Sequence, residues 1–218
     1  ARRILAAAEG AIAARGRFAL ILAGGRTPLA AYTLLVGQRA DWDRWHIFLG
    51  DERCLPASDP GRNSVAVTHA FLDRVPIPAG NLHWMAAELG GEPAARAYEA
   101  AIAPWLPFDL VLLGMGEDGH TASLFPGHPV PEGPLAIAVR GAPKPPPERV
   151  SLTPRALSAC HEMLILITGA EKAEAVAVWR RGADLPVAQV ASQGGATVLI
   201  DEAAAGGFVG LDALPTVD

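Results

Sequence analysis

Lysine is almost absent from this chain. Of 18 basic residues only Lys144 and Lys172 are lysines, which leaves 16 arginines. So lopsided a ratio reads as genomic base composition more than as function, and it makes a lysine in a loaded position more informative. Cysteine is equally scarce: Cys54 and Cys160 cannot staple a chain of 218 residues, so reduced thiols and a cytoplasmic setting are expected. No apolar stretch approaches the roughly 18 residues that a membrane span requires, and Ala1-Arg2-Arg3-Ile4 does not begin a secretory signal. Because position 1 is not methionine, the native N-terminus is expected to lie upstream. The net charge of −5, with no basic run and no alternation of basic and aromatic residues, argues against a nucleic-acid partner.

What remains is a compact globule. Half of the residues are hydrophobic and 19% are charged, as expected for one well-buried domain over residues 1–218. Short continuous apolar runs at 18–23, 45–49, 108–113, 163–168 and 197–200 predict strands covered on both faces. Residues 82–85, 135–140 and 149–152 predict three more. Helical spacing predicts helices over 2–15, from Thr27 as N-cap to 35, over 63–73, 92–105 and 171–181, and a shorter one over 187–192. Strands that alternate with helices imply βαβ crossovers, hence an α/β fold with a mostly parallel sheet flanked by helices.

Four turns follow those strands and carry the polar residues. Gly24-Gly25-Arg26-Thr27-Pro28 sets free backbone N–H groups at a helix start, which makes either an anion site or an ordinary tight corner. Lys172, in the turn after Gly169, would oppose the helix dipole unless an anion sits there, although Glu171 beside it could neutralise it. Asp51-Glu52-Arg53 is either a solvated turn or a polar group that holds a polyhydroxylated substrate, with Arg53 free for a carboxylate or phosphate. Arg149 follows a proline stretch, 144–147, whose rigidity would aim it.

The fourth turn is Gly114-Met115-Gly116-Glu117-Asp118-Gly119-His120-Thr121-Ala122-Ser123. Its glycines match a dinucleotide fingerprint literally, yet Pro126 cuts off the helix such a site needs, and no acid stands at 134–140 to hold a ribose hydroxyl. Asp118, His120 and His128 do not have the ligand spacing of a metal site. A histidine with acids two and three residues before it suits a general base whose tautomer a carboxylate sets.

These turns, together with Asn63-Ser64, Pro146-x-x-Arg149-x-Ser151-Leu152-Thr153 and the block running from Asp118 to Pro126, resemble the 6-phosphogluconolactonase family in order and spacing. Ser123-Leu124-Phe125-Pro126 and Asp51-Glu52-Arg53 stand where the related glucosamine-6-phosphate deaminases have other residues. One position departs from the pattern: Arg26 replaces the usual serine. The resemblance implies a modified Rossmann-like fold, shared with the deaminases and with ribose-5-phosphate isomerase. It implies hydrolysis of 6-phospho-D-glucono-1,5-lactone without metal or organic cofactor. In that scheme His120 is the base and Asp118 orients it. The turn from Gly25 through Arg26 to Thr27, Arg149 and Lys172 meet the phosphate, Arg53 and backbone N–H groups near Gly116 meet the lactone or its oxyanion, and Gly24, Asp51 and Asn63 complete the substrate- or phosphate-binding set. The expected partner is a small sugar-phosphate lactone bound by a monomer or weak homodimer. A sugar-phosphate isomerase or deaminase and a non-catalytic sugar-phosphate sensor are the rival readings.

Overall fold

The computed structural model describes residues 1–206, so the last part of the domain expected over 1–218 lies outside the described residues. Five strands form a parallel sheet in the order β2-β1-β4-β7-β8. They are β1 (Phe18–Leu22), β2 (Trp45–Leu49), β4 (Phe108–Gly114), β7 (Cys160–Ile167) and β8 (Thr197–Ile200). Every residue of β1 is buried and β4 is buried up to its last residue, as their unbroken apolar sequences require of strands covered on both faces. The core they build is continuous from Ile4 to Ala204.

Among the described residues seven helices pack around it: α1 (Arg2–Arg15), α2 (Arg26–Thr33), α3 (Asn63–Ala70), α4 (Gly91–Ile102), α5 (Pro154–Ser158), α6 (Ala173–Arg180) and α7 (Pro186–Gly194). Helix α1 turns Ile4, Ala8 and Ala11 inward and stops at Gly16, whose left-handed backbone (φ 72°) lets its N–H close on the Ile12 carbonyl at 2.8 Å. Buried Asp109 at the start of β4 ties this end together, accepting from the Ala19 N–H at 2.7 Å and from Arg15 Nε at 2.8 Å.

Three expectations need correction. The segment 82–85 is not a strand: only Leu82 bridges to Ile47, because Pro76 and Pro78 keep the approach to it irregular. Helix α2 starts two residues earlier than a Thr27 cap allows, since Gly25 takes φ 94° and serves as the N-cap itself. And the charged turn after β2 is not a loop. Asp51–Arg53 is strand β3, which joins β6 (Arg149–Leu152) and β5 (Ala136–Val139) in a separate antiparallel sheet, order β3-β6-β5. Among the described residues no helix is long and apolar enough to cross a membrane.

Candidate active site

The strand order reverses between β1 and β4, and at such a switch point the loops leave the carboxyl edge in opposite directions and open a crevice. Here it is a cleft of about 940 Å³ into which all five parallel strands deliver residues: Gly24 after β1, Asp51 after β2, Gly116 after β4, Thr168 after β7 and Asp201 after β8. Two buried tyrosines hold the edge firm. Tyr32 Oη bridges the backbone of Ala23, and Tyr98 Oη bridges that of Leu49.

The turn after β4 presents a histidine–carboxylate pair. His120 Nδ1 lies 2.5 Å from Asp118 Oδ1, and the His120 N–H points at the same oxygen at 3.2 Å. Burial works to raise the Asp118 carboxyl, but the hydrogen bonds and charge of His120 outweigh it and leave the acid below its ordinary range. An ionised Asp118 takes the Nδ1 proton as acceptor, which leaves the lone pair of His120 on Nε2. Gly116 makes this geometry possible, since a side-chain carbon there would overlap both His120 Nδ1 and Asp118 Oδ1. Its own N–H is donated to the His120 carbonyl at 2.8 Å. That N–H closes the turn, so what Gly116 itself contributes is space, and an oxyanion contact from the backbone near it would come from neighbouring N–H groups.

Across the cleft stands the N-terminus of α2. The amides of Arg26 and Thr27 lie in its first turn, where no intrahelical acceptor exists, and the dipole adds positive potential. Gly24 is confined by Asn63, whose side chain would overlap any added carbon. Thr27 Oγ1 meets Thr168 Oγ1 at 2.6 Å, bringing the end of β7 against α2. Lys172 caps α6 from the same side. Glu171 does not neutralise it; that acid reaches Arg26 at 3.1 Å, and Lys172 Nζ stands 3.9 Å from Glu117. Each of these two cations thus stands beside one carboxylate.

The floor is the β3–β6 pair, where Arg53 lies opposite Arg149 and Asp51 opposite Ser151. Arg149 is buried and is held by carbonyls of the proline stretch: Nη2 donates to Lys144 O at 2.7 Å and Nε to Pro146 O at 3.1 Å. Its aim comes from these bonds more than from chain rigidity. Arg53 Nη1 donates to Gly61 O, while its buried Nε has no partner among the described residues. Glu52 has a different task. Its fully buried carboxylate accepts from the N–H groups of Arg53, Asn63 and Ser64 at 2.7 to 2.9 Å and so caps α3.

A profile of the family described as Glucosamine-6-phosphate isomerases/6-phosphogluconolactonase matches residues 1–199. The chain belongs to this family. It is 39% identical to 6-phosphogluconolactonase of Mycobacterium tuberculosis over 94% of this chain and 90% of that one. It is 40% identical to 6-phosphogluconolactonase of Streptomyces coelicolor over 94% and 87%. The crystal structure of 6-phosphogluconolactonase from Thermotoga maritima superposes with a TM-score of 0.86 at 33% identity, covering 91% of this chain and 92% of that one.

Of the residues that the family resemblance singled out, Gly24, Gly25, Arg26, Thr27, Asp51, Arg53, Asn63, Gly116, His120, Arg149 and Lys172 all line the one cleft, and Asp118 backs His120 from behind. Sequence reasoning missed Asp201, whose carboxylate takes the Gly169 N–H at 3.1 and 3.2 Å and the Ala204 N–H at 2.8 Å, fixing the turn that carries Lys172. Its position directly after the last strand was the available signal. It also missed Thr168 and Lys144, which join the lining from the β7 end and the proline stretch.

Proposed function

We propose that the chain is a cytoplasmic 6-phosphogluconolactonase that hydrolyses 6-phospho-D-glucono-1,5-lactone to 6-phosphogluconate, the lactone-opening step of the oxidative pentose phosphate pathway, with His120 as general base. The observation that carries this reading is one cleft with a carboxylate-oriented imidazole on one wall and a helix N-terminus with Arg26 and Lys172 on the other. A lactone is already an activated ester. The protein has only to hold it, remove a proton from water and stabilise the oxyanion.

His120 Nε2 takes the proton as water attacks the lactone carbonyl, and the imidazolium that forms is stabilised by Asp118. The same proton then goes to the ring oxygen as the carbon–oxygen bond breaks, which returns the histidine to its starting state. The amides of Arg26 and Thr27, with Lys172 and Arg26, take the phosphate. Arg53, whose Nε has no partner among the described residues, faces the lactone end and supplies positive charge to the oxyanion; Arg149, which the resemblance assigns to the phosphate, is placed with it in this reading because it lies opposite Arg53. Asp51, held by Asn63 Nδ2, accepts from ring hydroxyls.

The test is lactone loss on freshly generated substrate, measured above the spontaneous rate for wild type and His120→Ala. A fall in kcat of about 10²–10⁴ is expected. Equal rates would end the mechanism, and ammonia release from glucosamine 6-phosphate would favour the deaminase reading.

A further inference from the structure

We infer that Ser123 is a positioning residue for Asp51: its buried hydroxyl, set between that carboxyl group and Arg149, holds the Asp51 side chain as a hydrogen-bond acceptor facing the cleft. The inference rests on the proposed reading of the cleft as a sugar-phosphate site. Ser123 is 1% exposed, and its Oγ donates to Asp51 Oδ2 at 2.6 Å. Arg149 Nη1 approaches the same Oγ at 3.5 Å, and the Ser123 N–H donates to Ser151 Oγ at 3.2 Å. The serine therefore stitches the turn that presents His120 to both strands of the arginine-bearing pair. The other oxygen of Asp51 accepts from Asn63 Nδ2 at 3.0 Å.

Asp51 lines the cleft yet is only 7% exposed, an arrangement that favours the neutral acid. Burial pushes its carboxyl above the ordinary range; the strongest opposing influence, which limits that rise, is the hydrogen bond from Ser123, followed by the charges of Arg149 on β6 and Arg53 on β3. Glu52, also on β3, pushes it further up, while Ser123 and Asn63 are the neutral donors from the remaining elements. Without the hydroxyl, burial and Glu52 are less opposed and Asp51 takes a proton at higher pH. A protonated Asp51 loses acceptor capacity for substrate hydroxyls. KM should respond and kcat much less, because the carboxylate serves binding and not proton transfer.

The experiment compares KM and kcat for 6-phosphogluconolactone from mildly acidic to neutral pH in wild type, Ser123→Ala, Asp51→Asn and the double variant, each checked for folding by its thermal transition. Ser123→Ala should show a KM that rises on the acidic side and returns toward wild type at higher pH, about tenfold for each unit by which the titration is displaced. Asp51→Asn should have a high KM at every pH, and the double variant should match it. Ser123→Thr, which keeps the hydroxyl, should restore the wild-type profile. If Ser123→Ala does not fold, Ser123→Cys, close in size but a weak donor, should show the same displacement. A KM raised by one factor at all pH values, or a double variant worse than Asp51→Asn, overturns the inference alone. Wild type without lactonase activity overturns the reading of the cleft, and the inference with it.

Discussion

Two ends of the same parallel sheet hold histidines in opposite circumstances. At the carboxyl edge His120 has Asp118 on Nδ1 and a cleft in front of Nε2. At the amino edge the rings of His46 and His83 meet each other, Nδ1 to Nε2 at 3.3 Å, packed against Trp105 and Phe48 with Arg17 nearby. Burial first, then the charges of His83 and Arg17, lower His46 from its ordinary 6.5 to about 4, and burial also lowers His83. The residue type is the same. What separates the two settings is whether an acid stands behind the ring and open space in front of it, and parallel strands offer both at their carboxyl ends, where helix N-termini gather.

The sharpest way to break this contrast is to take His120 from the carboxyl edge, with the kcat loss of about 10²–10⁴ given above, while His46→Gln should leave kcat within about twofold. Next comes Gly116→Ala. The added methyl occupies the space of the His120–Asp118 contact, so the imidazole must move; a displacement of about 1 Å can cost on the order of 10² in rate. Activity should collapse in that variant while circular dichroism and the melting transition stay near wild type, since the turn is at the surface of the core.

At the amino edge the expected effect is on stability and is smaller. The fold favours neutral His46, so above pH 6.5 its protonation does not differ between folded and unfolded chains. As the pH falls from 6.5 to about 4 the unfolded chain takes the proton first, and Tm should drop; below about 4 both states are protonated and this contribution levels off. Carboxylates that titrate in the same range add their own slope. The decisive quantity is therefore the difference between wild type and His46→Gln, which should narrow in that window. A parallel pair of curves would mean that His46 is solvated.

The smallest effect is expected at Arg26, whose side chain is 94% exposed in its pair with Glu171. Arg26→Ser should change Tm little, because such exposed pairs contribute at most about 1 kcal/mol, and should raise the inhibition constant of inorganic phosphate severalfold. No change in phosphate inhibition would assign the anion to the backbone and Lys172 alone.

The legible parts of the molecule were those written in consecutive residues. The runs of β1 and β4 declare buried strands because an unbroken apolar segment has no other way to satisfy both of its faces. The turn from Gly114 to Ser123 declares its histidine pair because Asp118 and His120 are two residues apart. Strand β3 was not legible. It is three residues long and charged throughout, and it is a strand only because β6, about a hundred positions later, supplies its hydrogen-bond partners.

The cleft divides the same way. The sequence by itself determined a parallel α/β sheet, the glycine turns at its edge and the adjacency of Asp118 and His120, since these depend on local pattern and on backbone freedom at single positions. Only the tertiary structure decided how the charges are used. Glu52 became a helix cap, Asp201 a brace for the turn of Lys172, Gly116 a space for an imidazole, and Ser123 the partner of an acid 72 residues away. The physical reason is that burial makes every polar group find a partner, and in this fold most of those partners arrive from other strands.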